Sequence, residues 1–150
     1  MRGTAVAVAL VLLLGGCSGD GEKEELPEPG PLVLLENHSC EKRGHDYLFV
    51  AATAKNTAEI PLTIDEVRLE GEINLEFRYA MLEREDLVAV DQTMPQVGQP
   101  GAQQPLILKL RFRTLMESAR YASVVVEYHN VEGRYESVAD GADVRVVCLG

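Results

Sequence analysis

Leu106-Ile107-Leu108-Lys109-Leu110-Arg111-Phe112-Arg113 alternates with a period of two. Leu106, Leu108, Leu110 and Phe112 fall on one side, and Lys109, Arg111 and Arg113 on the other. Successive side chains of an extended chain point to opposite faces, so this is a strand with one face in a core and one in water. Working outward, the neighbouring runs are also of strand length. They are Leu32 to Cys40, Tyr47 to Lys55, Thr63 to Glu70, Ile73 to Tyr79, Tyr121 to His129, Arg134 to Val138 and, at the end, Val144 to Cys148. Turn residues separate them: Lys42 to Asp46, Asn56 to Glu59, Asn130 to Gly133. Tyr47 to Lys55 is apolar on both faces in its first half, as a buried strand is. Ile73, Leu75, Phe77 and Tyr79 are expected to share one face. In Tyr121 to His129 two faces compete for the core, Tyr121, Ser123 and Val125 or Val124, Val126 and Tyr128. Leu115 to Arg120 fits one helical turn. Met81 to Val90 contains good helix formers but reads as a strand with an irregular start. Seven to nine short strands without a sustained helix predict an all-β fold, an immunoglobulin-like antiparallel sandwich over residues 32–150.

The segment before it has a different character. Arg2 precedes a ten-residue apolar run, Ala5 to Leu14, too short to span a bilayer and of signal-peptide length. Leu14-Gly15-Gly16-Cys17 resembles the lipobox of bacterial lipoprotein precursors, although Ala or Ser is commoner where Gly15 stands. The resemblance implies a signal peptide over 1–16, removed by cleavage before Cys17, with diacylglycerol and a further acyl chain such as palmitate on that cysteine. It places the protein in the cell envelope, held to a membrane outside the cytoplasm. With Ser18 next, it implies the outer membrane facing the periplasm of a Gram-negative cell. The other reading is an ordinary secretory signal with an incidental cysteine. Residues 17–31 are then the lipidated cysteine and a flexible acidic linker rich in Gly, Pro and Glu, unable to bury enough surface to fold. Fully extended, it reaches roughly 50 Å.

The chain has 24 acidic against 14 basic residues and a formal charge of −10. Such a surface repels nucleic acid and anionic head groups, so no nucleic-acid partner is expected. Tryptophan is absent, which argues against a stacking platform for sugars or bases. With Cys17 assigned to the anchor, Cys40 and Cys148 remain as an even pair in an exported chain, and are expected to form one disulfide.

Three motifs resemble bacterial immunoglobulin-like modules of the FxLYD and cell-adhesion-related type. The first is Ala52-Thr53-Ala54-Lys55-Asn56-Thr57 with Ile60-Pro61-Leu62, where Ala58 stands in place of the usual Gly. The second is Gln99-Pro100-Gly101 before Pro105-Leu106-Ile107-Leu108, whose Pro-Gly pair suits a type II turn. The third is Leu110-x-Phe112-x-x-Leu115 leading through Ala119-Arg120 to Tyr121, similar to a tyrosine corner, with Ser123 at the position of the immunoglobulin cysteine. The resemblance covers about residues 32–149. It implies binding, adhesion or scaffolding, and a first strand parallel to the last that brings Cys40 to Cys148.

No nucleophile, zinc-protease, P-loop or dinucleotide motif is present, so a non-catalytic protein without cofactors is expected. His38-x-Cys40 with His45 is an alternative copper or zinc site, and requires a free Cys40 thiol. Met81, Met94 and Met116 are too scattered for a copper site. Glu83, Glu85 and Asp86 lack calcium-loop spacing and read as a solvated turn. The candidate contacts for an envelope protein partner are Gln92, Gln96 and Gln99 in the long Asp91 to Pro105 break, with the basic stripe Lys109, Arg111 and Arg113. A connector loop and cross-strand pairing with acids are the plain alternatives.

Overall fold

The structure, a computed structural model, describes residues 30–82 and 92–150. Lipobox, linker up to residue 29, and Glu83, Glu85 and Asp86 lie outside the described residues. The rest is an eight-stranded antiparallel sandwich. One sheet is ordered β1 (Leu32–Arg43), β2 (Asp46–Asn56), β6 (Gln103–Phe112), β4 (Leu75–Leu82). The other is ordered β5 (Thr93–Met94), β3 (Leu62–Glu70), β7 (Arg120–Asn130), β8 (Gly133–Asp143). The expected all-β class holds because β6 uses its alternation as read. Leu106, Leu108, Leu110 and Phe112 enter the core with Tyr47, Phe49 and Leu75. Across the sandwich Val124, Val126 and Tyr128 face them, which decides between the two faces of β7. Tyr121 joins the same core from the start of that strand.

Three expectations are corrected. First, Ile73, Leu75, Phe77 and Tyr79 do not share a face. The β4–β6 register shifts between Phe77 and Tyr79, and an extra residue in one strand turns the residues beyond it to the opposite face. Leu75, Phe77, Ala80 and Leu82 lie on the core side. Tyr79 and Met81 join Leu48, Val50 and Ile107 in a second cluster on the outer face, and Ile73 is exposed. Second, 115–117 is a series of bends and 118–119 is irregular, with no helical turn. The Asn74 side chain donates to the carbonyls of Thr114 and Glu117 and accepts from the Thr114 amide, replacing helical hydrogen bonds with contacts across the chain. Third, Val144 to Cys148 is not a strand. It lies in a short helix, α1 (Val144–Leu149), whose first turn is capped by the Asp143 carboxylate accepting from the Val146 amide at 3.2 Å. Val144, fully buried, plugs the end of the core.

Cys40 and Cys148 are bonded. The bridge ties β1 to α1, not to a last strand running beside it.

Candidate functional site

The strands run between two ends of the sandwich. The chain comes in at Gly30 and Pro31 beside the β7–β8 turn. A Cβ on Gly30 would collide with the Tyr128 hydroxyl and lie 2.7 Å from the Tyr135 ring, so only glycine fits there. The Tyr128 hydroxyl accepts from the Leu32 amide at 3.1 Å, and Ser137 Oγ donates to the Leu32 carbonyl at 2.6 Å. The long glutamine-rich loop is at this same end. Its organiser is Asn56, fully buried. Asn56 Nδ2 donates to the carbonyls of Ile60 and Pro95, both at 2.9 Å, Oδ1 accepts from the Ala58 amide, and its own amide donates to the Ala102 carbonyl. The turn at Pro100-Gly101 forms as read: Gly101 has φ +87°, and the Ala102 amide donates to the Gln99 carbonyl at 3.1 Å. Gln96 and Gln99 are exposed. Gln92 is structural, its side-chain oxygen accepting from the Leu82 amide.

The basic stripe is not part of that surface. Lys109 and Arg111 lie on the outer face of the β1–β2–β6–β4 sheet and share one acid: Lys109 Nζ is 3.3 Å and Arg111 Nε 2.8 Å from the half-buried Asp46 carboxylate. Burial pushes the Asp46 carboxyl up, but hydrogen bonds from Arg111 and Lys109 outweigh this and hold it below its ordinary value. The bond to Asp46, with one to Tyr79, raises Lys109, whose ammonium also stands 5.2 Å from the centre of the Tyr79 ring. These cations are therefore paired within the chain. Arg113 follows the end of β6, at the opposite end from the glutamines. The structure does not bring the six expected contact residues together; strands of this length separate the two ends by roughly 30 Å.

The metal reading loses its thiol to the disulfide. His38 stacks on Phe49 at 5.6 Å with its Nδ1 3.7 Å from Glu36, and His45 is exposed in the β1–β2 turn. Among the described residues no three His, Cys, Asp or Glu groups cluster to hold a metal. An apolar groove of about 180 Å³ opens between the β3 and β4 edges, lined by Ile64, Val67, Phe77 and Leu82. It is smaller than the roughly 300–1,000 Å³ typical of small-molecule sites. Tyr121 lies edge-on to Phe49, and its hydroxyl is buried with no hydrogen-bond partner among the described residues. A tyrosine corner bonds that hydroxyl to backbone, so this element of the resemblance does not carry over. Ser123, expected at the immunoglobulin cysteine position, instead donates to Glu70.

No protein family and no curated protein matches this chain.

Proposed function

We propose that the chain is a lipid-anchored protein of the bacterial cell envelope, held through Cys17, and that residues 32–150 act as a non-catalytic binding or scaffolding module. The observation that carries this reading is the Cys40–Cys148 bridge. Disulfides of this kind persist in oxidising compartments, and pairing these two leaves Cys17 alone, inside the lipobox-like Leu14-Gly15-Gly16-Cys17. The order of the Asn-Thr, Pro-Leu and Pro-Gly motifs, similar to FxLYD-type modules, supports a binding role. One protein partner in the envelope is the expected ligand.

The test is the intact mass of the protein purified from membranes of its own host, with and without reduction and thiol alkylation. The expected result is a chain beginning at Cys17 with a lipid-sized increment, and no alkylation until reductant is added. A mass without lipid, or alkylation of Cys40 and Cys148 without reductant, overturns the reading.

A further inference from the structure

Among the described residues the two sheets have four edge strands, β1, β4, β5 and β8, and three of them are blunted. β5 is two residues long. β1 and β4 each carry a register shift, between Glu36 and Ser39 and between Phe77 and Tyr79. A bulge of this kind disrupts the ladder and twists an edge away from a second chain. β8 is built differently. Its eleven residues pair with β7 in one unbroken register, from Arg120 opposite Asp143 to Asn130 opposite Gly133, and they include neither proline nor lysine. In an antiparallel ladder alternate residues turn their amide and carbonyl away from the partner strand. The outer side of β8 is therefore a regular row of donors and acceptors, a template for a further strand.

The first half of that edge has the entering chain beside it: Gly30 lies against Tyr135, and the Leu32 carbonyl accepts from Ser137 Oγ. Beyond Ser137, β1 and β8 part. They leave a gap of about 210 Å³ bounded by Leu34, Glu36 and Ala51 on one sheet and by Val138, Ala139 and Asp140 on the other. This is below the roughly 300–1,000 Å³ of small-molecule sites and of side-chain size. Its floor is apolar, since Ala51 is buried and Leu34 and Ala139 pack against the core. Its two charged residues are both acids. Asp140 forms no ion pair with a described residue, and Glu36, with its side chain 80% exposed, has only the His38 imidazole at 3.7 Å.

We infer that the free edge of β8 over residues 138–143 accepts a strand from another protein, an extended segment that sets one apolar side chain into the gap and carries Lys or Arg beside it. Six residues of edge span roughly 20 Å. Main-chain hydrogen bonds to the edge supply affinity, and the alternation of inward and outward side chains supplies specificity. The acids select the occupant. A second copy of β8 would set Glu36 and Asp140 against the same two acids, and like charges across a ladder are unfavourable. The chain's own residues 22–29 carry four glutamates against one lysine, and Pro27 and Pro29 have no amide to donate. A basic extended segment meets the amides, the carbonyls and the carboxylates together. By contrast, Ile73, Leu115, Met116, Val146 and Leu149 are exposed at the tip away from Gly30, where arginines and acids stand in equal number and select no partner. The inference rests on the binding-module reading and names the surface it uses.

The test places a photo-crosslinking amino acid at Val138 on the edge, which is 57% exposed, at Met116 on the tip, or at Val131 in the β7–β8 turn, in the full chain in its own host. The expected result is a protein adduct from Val138 and none from the other two positions. The crosslinked segment, read by mass spectrometry and made as a synthetic peptide, should slow hydrogen exchange at amides within 138–143 of the purified full chain. Adduct yield should fall about tenfold when Glu36→Lys and Asp140→Lys are combined, as reversal of two charges at the rim of a contact predicts. Asp140→Lys alone, at an exposed position, should lower it about threefold. An unchanged melting temperature and a closed disulfide in these variants separate lost binding from lost fold. Adducts only to lipid or to a second copy of this chain, a yield insensitive to the charge reversals, or a peptide that leaves those amides unprotected overturn the inference. Protein adducts only from Met116 or Val131 overturn it while leaving the binding-module reading standing; no protein adduct from any position overturns both.

Discussion

The two ends of the sandwich are held by different physics. At the Gly30 end one polar side chain, Asn56, is removed from water entirely and bonded to three backbone groups. A buried amide with all its partners is favourable, and the same groups without partners are costly, so the 57–61 and 92–102 segments stand or fall together. At the far end the organiser, Asn74, is only half-buried, and its bonds lie in exposed positions. There the covalent bridge between Cys40 and Cys148 restrains the chain. An end stapled covalently can leave Met116 and Val146 in water, because its order depends less on burying them.

That contrast is open to a graded series of tests. Replacing both Cys40 and Cys148 by Ser should have the largest effect. The bridge closes a loop with a sequence separation of 108, and chain entropy puts its contribution somewhat under about 5 kcal/mol as an upper value. Urea denaturation of the two forms measures it; a loss below about 1 kcal/mol would mean that packing alone holds the far end. Next comes Asn56→Ala, expected to cost about 3 kcal/mol because it orphans two carbonyls and an amide in the interior. Hydrogen exchange should then speed up at Ala58 and Ala102 while the amides at Thr114 and Val144 stay protected. Asn74→Ala should cost about 1–2 kcal/mol, since exposed bonds are replaced by water but a side chain other than Gly or Asn is strained at this φ. Asn74→Gly relieves the strain and isolates the bonds; equal losses in the two variants would remove the strain from the account.

The smallest effect lies on neither end but on the face between them. The Asp46 carboxyl is lowered in the fold, so its contribution is present above the ordinary carboxylate value of 3.8 and is lost as pH falls through the lower folded value. Lys109 is raised, so its share is present below the ordinary value of 10.5 and is lost as pH rises through the higher folded value. Asp46→Asn should therefore lower the melting temperature slightly near neutral pH and not at about pH 2. A difference that persists in acid would point to packing and not charge.

Much of the fold is legible from local pattern. The inward face of β6, the two-sided burial of Tyr47 to Val50, the Pro100-Gly101 turn and the pairing of Cys40 with Cys148 arise from period, turn chemistry and cysteine count. The errors share a cause. The bulge between Phe77 and Tyr79 is invisible in an alternating stretch, because one extra residue leaves the pattern intact and only changes which face is which. The segment after Leu115 lost its helical turn to Asn74, forty residues earlier in the chain. Asp143 before Val144 is an N-cap signal that could have marked α1. The candidate site was legible as residue types but not as a place: Gln92, Gln96 and Gln99 precede one end of β6, Arg113 follows the other, and Asp46, from β2, occupies the charges between.

The amino-acid order alone therefore sets where most of the strands form, which side chains of β6 seek the core, and that two cysteines are available to pair, because these depend on neighbours along the chain. Which face comes inward after a bulge, which cations the acids of the sheets take up, and which apolar residues gather at one tip were decided only by tertiary structure. Each depends on partners brought together across the two sheets.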